Sequence, residues 1–148
     1  MKLSQHFCSE EFIPKDMHDD LIATGRDPRW LINKNVVDFC EWIHGKYVNK
    51  EVLINNWKWG GKYNESGLRS INSTTGAKYS QHKFKDAVDI KIKGITPAEI
   101  RTLILDNFVY LNQTFGLSTI EKIEDTPTWI HCDFRWTGLD YLLEVNGK

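Results

Sequence analysis

His82 and Asp89 stand seven residues apart, in Tyr79-Ser80-Gln81-His82-Lys83-Phe84-Lys85-Asp86-Ala87-Val88-Asp89-Ile90. Asp89 falls inside an apolar run that alternates as a strand does: Val88, Ile90 and Ile92 share one face, and Ala87, Asp89 and Lys91 share the other. Further along, Trp129-Ile130-His131-Cys132-Asp133-Phe134-Arg135 repeats the design. There Ile130, Cys132, Phe134 and Trp136 form a core face, while Trp129, His131, Asp133 and Arg135 line the open one. Neighbouring strands lie roughly 4.8 Å apart, so Asp89 and His131 can meet across a sheet, with His82 folding over from the entering loop. Two nitrogens and one carboxylate oxygen suit zinc, and three protein ligands leave a fourth position for water. Spacing alone also admits blander roles: His82 as a surface loop residue, Asp89 as a hydrogen-bonded carboxylate, and His131 paired only with Asp133.

The elements that must hold these residues follow from pattern and punctuation. Ser9 before Glu10 and Glu11 is a helix-start signal that Pro14 ends, and residues 14–29, with Gly25 and two prolines, read as loop. Residues 30–47 carry Val36, Val37, Cys40, Ile43 and Tyr47 at helical spacing. Val52-Leu53-Ile54 is a short strand, and Trp57 and Trp59 share a face if it continues. Residues 60–78 form a long connection rich in Gly, Ser and Thr, of the kind that is often functional. Thr96-Pro97-Ala98-Glu99 is a helix start with a capping box, followed by Ile100, Leu103, Ile104 and Leu111 on one face and Gly116 past the end. Residues 120–123 and 128–135 read as strands around a Glu124-Asp125-Thr126-Pro127 turn, and the stretch from Thr137 as a closing helix. The expected fold is α+β: a small, mainly antiparallel sheet with helices packed on one side and the zinc site on the open face.

Size and composition set the frame. A chain of 148 residues, 41% hydrophobic, fits a single domain spanning residues 1–148 with a real core. Its 19 basic and 20 acidic residues leave a net charge of −1, which argues against nucleic acid and anionic membrane as partners. Bases alternate with aromatics in Trp57-Lys58-Trp59-Gly60-Gly61-Lys62-Tyr63, one patch in an otherwise neutral chain. Cys8, Cys40 and Cys132 are too few and too scattered for a disulfide framework or a cysteine zinc site, and read as small buried hydrophobes. No apolar signal segment follows Met1, so synthesis in the cytoplasm is expected, with release by another agent.

Short motifs spread over most of the chain carry a resemblance. Ser80-x-His82, Ala87-Val88-Asp89-Ile90 and Trp129-Ile130-His131-Cys132-Asp133 resemble the zinc D-alanyl-D-alanine carboxypeptidase family, which includes vancomycin-resistance dipeptidases, phage endolysin peptidases and, by fold, the Hedgehog signalling domain. Gly67-Leu68-Arg69-Ser70 resembles the segment before that family's first zinc histidine, and Leu3-Ser4-x-x-Phe7 with Glu11-Phe12 resembles the start of its small phage-type members. The resemblance implies one zinc ion on His82, Asp89 and His131. It also implies that Arg69 faces the substrate carbonyl or carboxylate, and that Ser80 either shapes the substrate cleft or caps its loop. It implies hydrolysis of a peptide bond in bacterial peptidoglycan stem peptide or cross-link by zinc-activated water, by a monomer acting on the cell wall after release, as a phage lysin or virion-associated enzyme does.

One departure bears on the chemistry. Many members of that family place an acidic general base three residues before the last histidine, where this chain has Thr128. Asp133 is the first candidate to stand in, with Glu124 and Asp125 behind it; its other role is to orient His131 or pair with Arg135. The family also usually has glycine where this chain has Lys85 or Asp86. The alternative function is a zinc-stabilised, non-catalytic cell-wall-binding or virion module, and a third is zinc-free wall binding through exposed tryptophans.

Overall fold

A computed structural model of the chain describes residues 1–147. It is α+β, with helices α1 (Lys15–Ala23), α2 (Lys34–Lys46), α3 (Pro97–Asp106) and α4 (Phe108–Phe115). The strands are β1 (Val52–Leu53), β2 (Ala87–Ile92), β3 (Thr119–Glu121), β4 (Ile130–Asp133) and β5 (Leu143–Val145). They form one mixed sheet in the order β1-β2-β4-β3-β5, antiparallel throughout except where β5 joins β3 in parallel. No helix among the described residues is long and apolar enough to cross a membrane.

The sheet sorts its side chains by alternation. Val88, Ile90, Ile92, Ile120, Ile130 and Cys132 enter one core with Val36, Phe39, Cys40 and Ile43 of α2, Ile100 and Ile104 of α3, and Leu111 and Phe115 of α4. The register aligns Asp89 with His131 and Ala87 with Asp133, so the polar members of β2 and β4 stack on the opposite face. Thr96 and Glu99 close the expected capping box at α3. Gly116 ends α4, but the backbone breaks at Asn107, so Leu111 belongs to a second helix.

Several expectations yield to packing. Residues 15–23 are helical, because Pro14 supplies a fixed φ just before the first turn and His18 and Leu21 bury beside the N-terminal segment. The helix expected over 30–47 begins at Lys34, after a 3-10 turn at Pro28–Leu31, with Asn33 accepting a bond from the Asn35 amide. Ser9–Glu11 is a single 3-10 turn. Trp57–Trp59 is another 3-10 turn, not a continued strand; the Trp57 indole donates to the Ile13 carbonyl. The closing helix from Thr137 is absent: residues 143–145 pair with β3 through Leu143 N–Ser118 O and Lys122 N–Val145 O bonds of 2.9 Å. Trp136 is 93% exposed, because β4 ends at Asp133 and its alternation no longer governs the chain. Cys40 and Cys132 are buried and Cys8 partly so, all as free thiols.

The polar sheet face is partly closed, with Asp89, His131 and Asp133 buried. Residues 64–86 form a roof at one side of it: where β1 runs out they bond to the edge of β2, and residues from Arg69 to Gln81 line the cleft beside Asp89 and His131. Asp89 N donates to Ser66 O at 2.7 Å, Leu68 N to Phe12 O at 2.7 Å, and Arg69 N to His82 O at 3.0 Å.

Candidate metal centre

His82, Asp89 and His131 converge from three pieces of backbone. His82 lies in a 3-10 turn, Gln81–Phe84, that ends in Lys85 with φ of 69°. That is left-handed backbone, which a side chain strains and glycine adopts freely. Asp89 is central in β2, and His131 faces it from β4. Their exposures are 1%, 7% and 4%, so all three are at the bottom of the site. His82 Nε2 lies 3.2 Å from Asp89 Oδ1 and 3.1 Å from His131 Nδ1, and His131 Nδ1 lies 2.9 Å from Asp89 Oδ1.

The atoms on the far side of each group fix what the converging atoms are. His82 Nδ1 lies 2.5 Å from the Gly67 carbonyl, which only accepts, so Nδ1 carries the hydrogen and Nε2 presents a lone pair. His131 Nε2 lies 3.3 Å from Asp133 Oδ2, and the same argument leaves Nδ1 as the inward lone pair. Asp89 Oδ2 accepts from Arg69 Nη2 at 3.0 Å, leaving Oδ1 inward. Three electron pairs therefore point at one another, an arrangement that a proton or a metal cation between them stabilises. A tetrahedral site with bonds of about 2.0–2.2 Å separates its ligands by about 3.3–3.6 Å. The observed triangle is close to that size, and the group can hold a metal ion.

Without an ion, protons must fill the role. Burial opposes charging His131, but its bonds to Asp133 and Asp89 outweigh it and raise the ring to about 9. Burial likewise works against ionised Asp89, yet the two imidazoles hold its carboxyl far below the usual range.

The centre opens on a cleft of about 400 Å³. Its roof side carries Arg69, Thr75, Tyr79, Ser80 and Gln81, and its floor and far wall carry Glu121, Trp129, Arg135 and Val145–Gly147 among others. Arg69 is held by the Glu65 carbonyl at 2.9 Å as well as by Asp89. Ser80 precedes the 3-10 turn, but its side chain makes no capping bond; it lines the cleft instead. Gly67 is a close-approach position, since a Cβ there would sit 2.4 Å from the Phe12 carbonyl oxygen.

Asp133 is fully buried rather than open-faced. Its carboxylate meets His131 Nε2, the Arg135 Nε at 2.8 Å and the Arg135 Nη2 at 2.5 Å, on the side of the imidazole away from the metal-facing nitrogen. These bonds keep its carboxyl below the ordinary value despite burial. Asp125 accepts from the Gly147 amide at 3.0 Å, and neither it, Glu124 nor Thr128 lines the cleft.

The carboxylate that does reach the centre is Glu121. The register that pairs Thr119 with Asp133 and Ile120 with Cys132 brings Glu121 abreast of His131. Glu121 Oε1 lies 3.9 Å from His131 Nδ1. Burial raises its carboxyl, as does the Asp89 charge, against an opposing pull from His131. Gly147 packs on it: a Cβ there would stand 3.0 Å from Glu121 Oε2. Sequence reading passed over Glu121, although its place one residue after core-facing Ile120, in a strand beside the histidine strand, was the available signal.

Compared with protein-family models, with curated proteins and with solved structures, the chain shows no significant match.

Proposed function

We propose that this chain is a zinc peptidase that hydrolyses a peptide bond in bacterial peptidoglycan, as a D-alanyl-D-alanine carboxypeptidase or an endolysin-type endopeptidase does. The observation that carries the reading is a three-ligand metal group sharing one cleft with a carboxylate, Glu121, and a fixed guanidinium, Arg69. Zinc is the metal favoured by two imidazoles and one carboxylate with a side left open. Bound there, zinc supplies Lewis acidity, lowering the pKa of a coordinated water to about 7 and polarising a carbonyl.

The chain's own groups do the rest. Glu121, with its proton affinity raised by burial, accepts the proton of the attacking water and returns it to the leaving amine as the C–N bond breaks. Arg69, pinned on Asp89, holds the negative charge that develops on the carbonyl oxygen. Asp133 fixes the orientation and tautomer of His131. Ser80 shapes the cleft wall.

Peptidoglycan is chosen over other peptides because of the ordered motifs around Arg69, His82, Asp89 and His131, and the likeness to the Hedgehog and D-alanyl-D-alanine peptidase fold belongs to the same proposal. A non-catalytic zinc module drew its support from Thr128 standing where an acid was expected; Glu121 in the cleft weakens that support. The test is digestion of purified peptidoglycan by zinc-loaded protein. New amines or free D-alanine, abolished by chelator and restored by zinc, are expected. Full zinc occupancy with no product would overturn the proposal.

A further inference from the structure

Arg135 stands in the cleft with capacity to spare. Its Nε and Nη2 bond to the buried carboxylate of Asp133, while its side chain remains 34% exposed and lines the cavity. A guanidinium carries five N–H groups, and two are used here, so three remain without a protein acceptor among the described residues. The two bonds to Asp133, with Ser118 Oγ donating to the Arg135 carbonyl at 2.6 Å, fix the fork before any ligand arrives. Arg69 differs: it is turned onto a metal ligand and the Glu65 carbonyl, and its side chain is only 12% exposed.

Distance defines what Arg135 can reach. Asp133 Oδ2 is 3.3 Å from His131 Nε2 and 2.5 Å from Arg135 Nη2. Adding the width of the imidazole, Arg135 Nη2 lies within about 8 Å of the metal-facing Nδ1. An extended peptide advances about 3.3–3.6 Å per residue. A group bound by Arg135 therefore belongs to a residue within about two of a carbonyl held at the centre. The complement of a fixed planar fork is a carboxylate.

We propose that Arg135 forms a carboxylate subsite, selecting peptides that carry a free carboxylate within two residues of the scissile bond. The inference rests on the peptidase reading and specifies its substrate. The carboxylate has two sources, a peptide C-terminus or an acidic side chain.

The probes are N-acetyl-D-alanine, its amide, and N-acetyl-D-isoglutamine, whose carboxylate is on the side chain. Binding to zinc-loaded protein is measured by calorimetry for wild type, Arg135→Gln and Arg135→Lys, with zinc content determined for each. Wild type is expected to bind a carboxylate probe about ten- to a hundredfold more tightly than the amide. Arg135→Gln should lose most of that preference at unchanged zinc content, and Arg135→Lys should keep part of it. The tighter of the two carboxylate probes identifies the source. Should Arg135→Gln abolish folding or zinc binding, Arg135→Lys, which keeps a positive charge beside Asp133 but lacks the planar fork, takes its place. A wild-type preference retained in the zinc-loaded glutamine variant, or undiminished in the lysine variant, would overturn the subsite, since the ion alone would then be the receptor. No preference in wild type would overturn it equally. Absence of D-alanine release from N,N′-diacetyl-L-lysyl-D-alanyl-D-alanine, measured separately, counts against the peptidase reading, not the subsite.

Discussion

At the residue scale, the tautomers of His82 and His131 decide the chemistry, since each ring is pinned from behind and turns a lone pair inward. In the metal-free chain, His131 is raised to about 9 from an ordinary value near 6.5. A raised pKa stabilises the fold fully below about 6.5, and this contribution is lost as pH climbs through about 9. Zinc must displace that proton, so its affinity should rise with pH over the same window. Calorimetry in buffers of different ionisation enthalpy should find about one and a half protons released per zinc at pH 7, one from His131 and half from a coordinated water of pKa about 7, falling to about one above pH 9 as the His131 share disappears. A pH-independent affinity would contradict the tautomer assignment.

Glu121 and Asp133 should separate by effect. Glu121→Gln is expected to lower turnover about 10²–10⁴-fold with zinc retained. Asp133→Asn should instead weaken zinc about 10–100-fold, through the orientation of His131. Turnover assays paired with zinc titration distinguish the two. The convergence of Asp89 and His131 was legible because strand alternation marks them as polar exceptions. Glu121 was not, because a three-residue strand shows almost no period and its meaning depends on which strand it pairs with.

At the scale of elements, the roof over residues 64–86 matters most. It stands where a longer β1 would otherwise run beside β2, and it delivers Gly67, Arg69 and His82 together. Gly67→Ala would drive a methyl group into the Phe12 backbone, with an expected cost of about 1–3 kcal/mol from urea denaturation and weaker zinc binding. A neutral effect would mean that the roof is not so closely applied. The sequence marked residues 60–78 as a connection needing a reason, but composition cannot say which sheet face a loop covers. It misled at the chain's last segment for a related cause. Leu139, Tyr141, Leu142 and Val145 mimic a helical face, yet the unpaired edge of β3 recruits Leu143–Val145 instead.

At the scale of the molecule, one core unites α2, α3, α4 and the apolar sheet face, and the candidate metal ligands and Glu121 gather on the other face beside the roof. Arg101 of α3 ties the layers together, donating to the Glu121 carbonyl at 2.8 Å and pairing with Glu144 of β5. Metal should strengthen this union. Zinc at a hundredfold excess over its dissociation constant adds about 2.7 kcal/mol, so thermal unfolding should move up by several degrees and return with chelator. His82→Ala should show neither shift. The α+β class was legible from the mixture of helical and alternating periods; the parallel β3–β5 pairing was not, because it joins segments by tertiary contact alone.

The most direct test is zinc-edge X-ray absorption on the purified, zinc-loaded protein, read beside His131→Ala. The account predicts one zinc per chain with two imidazole nitrogens and oxygen ligands at about 2.0–2.2 Å, and loss of one imidazole shell or of the metal in the variant. A zinc spectrum with sulfur ligands, or one unchanged by His131→Ala, would contradict it.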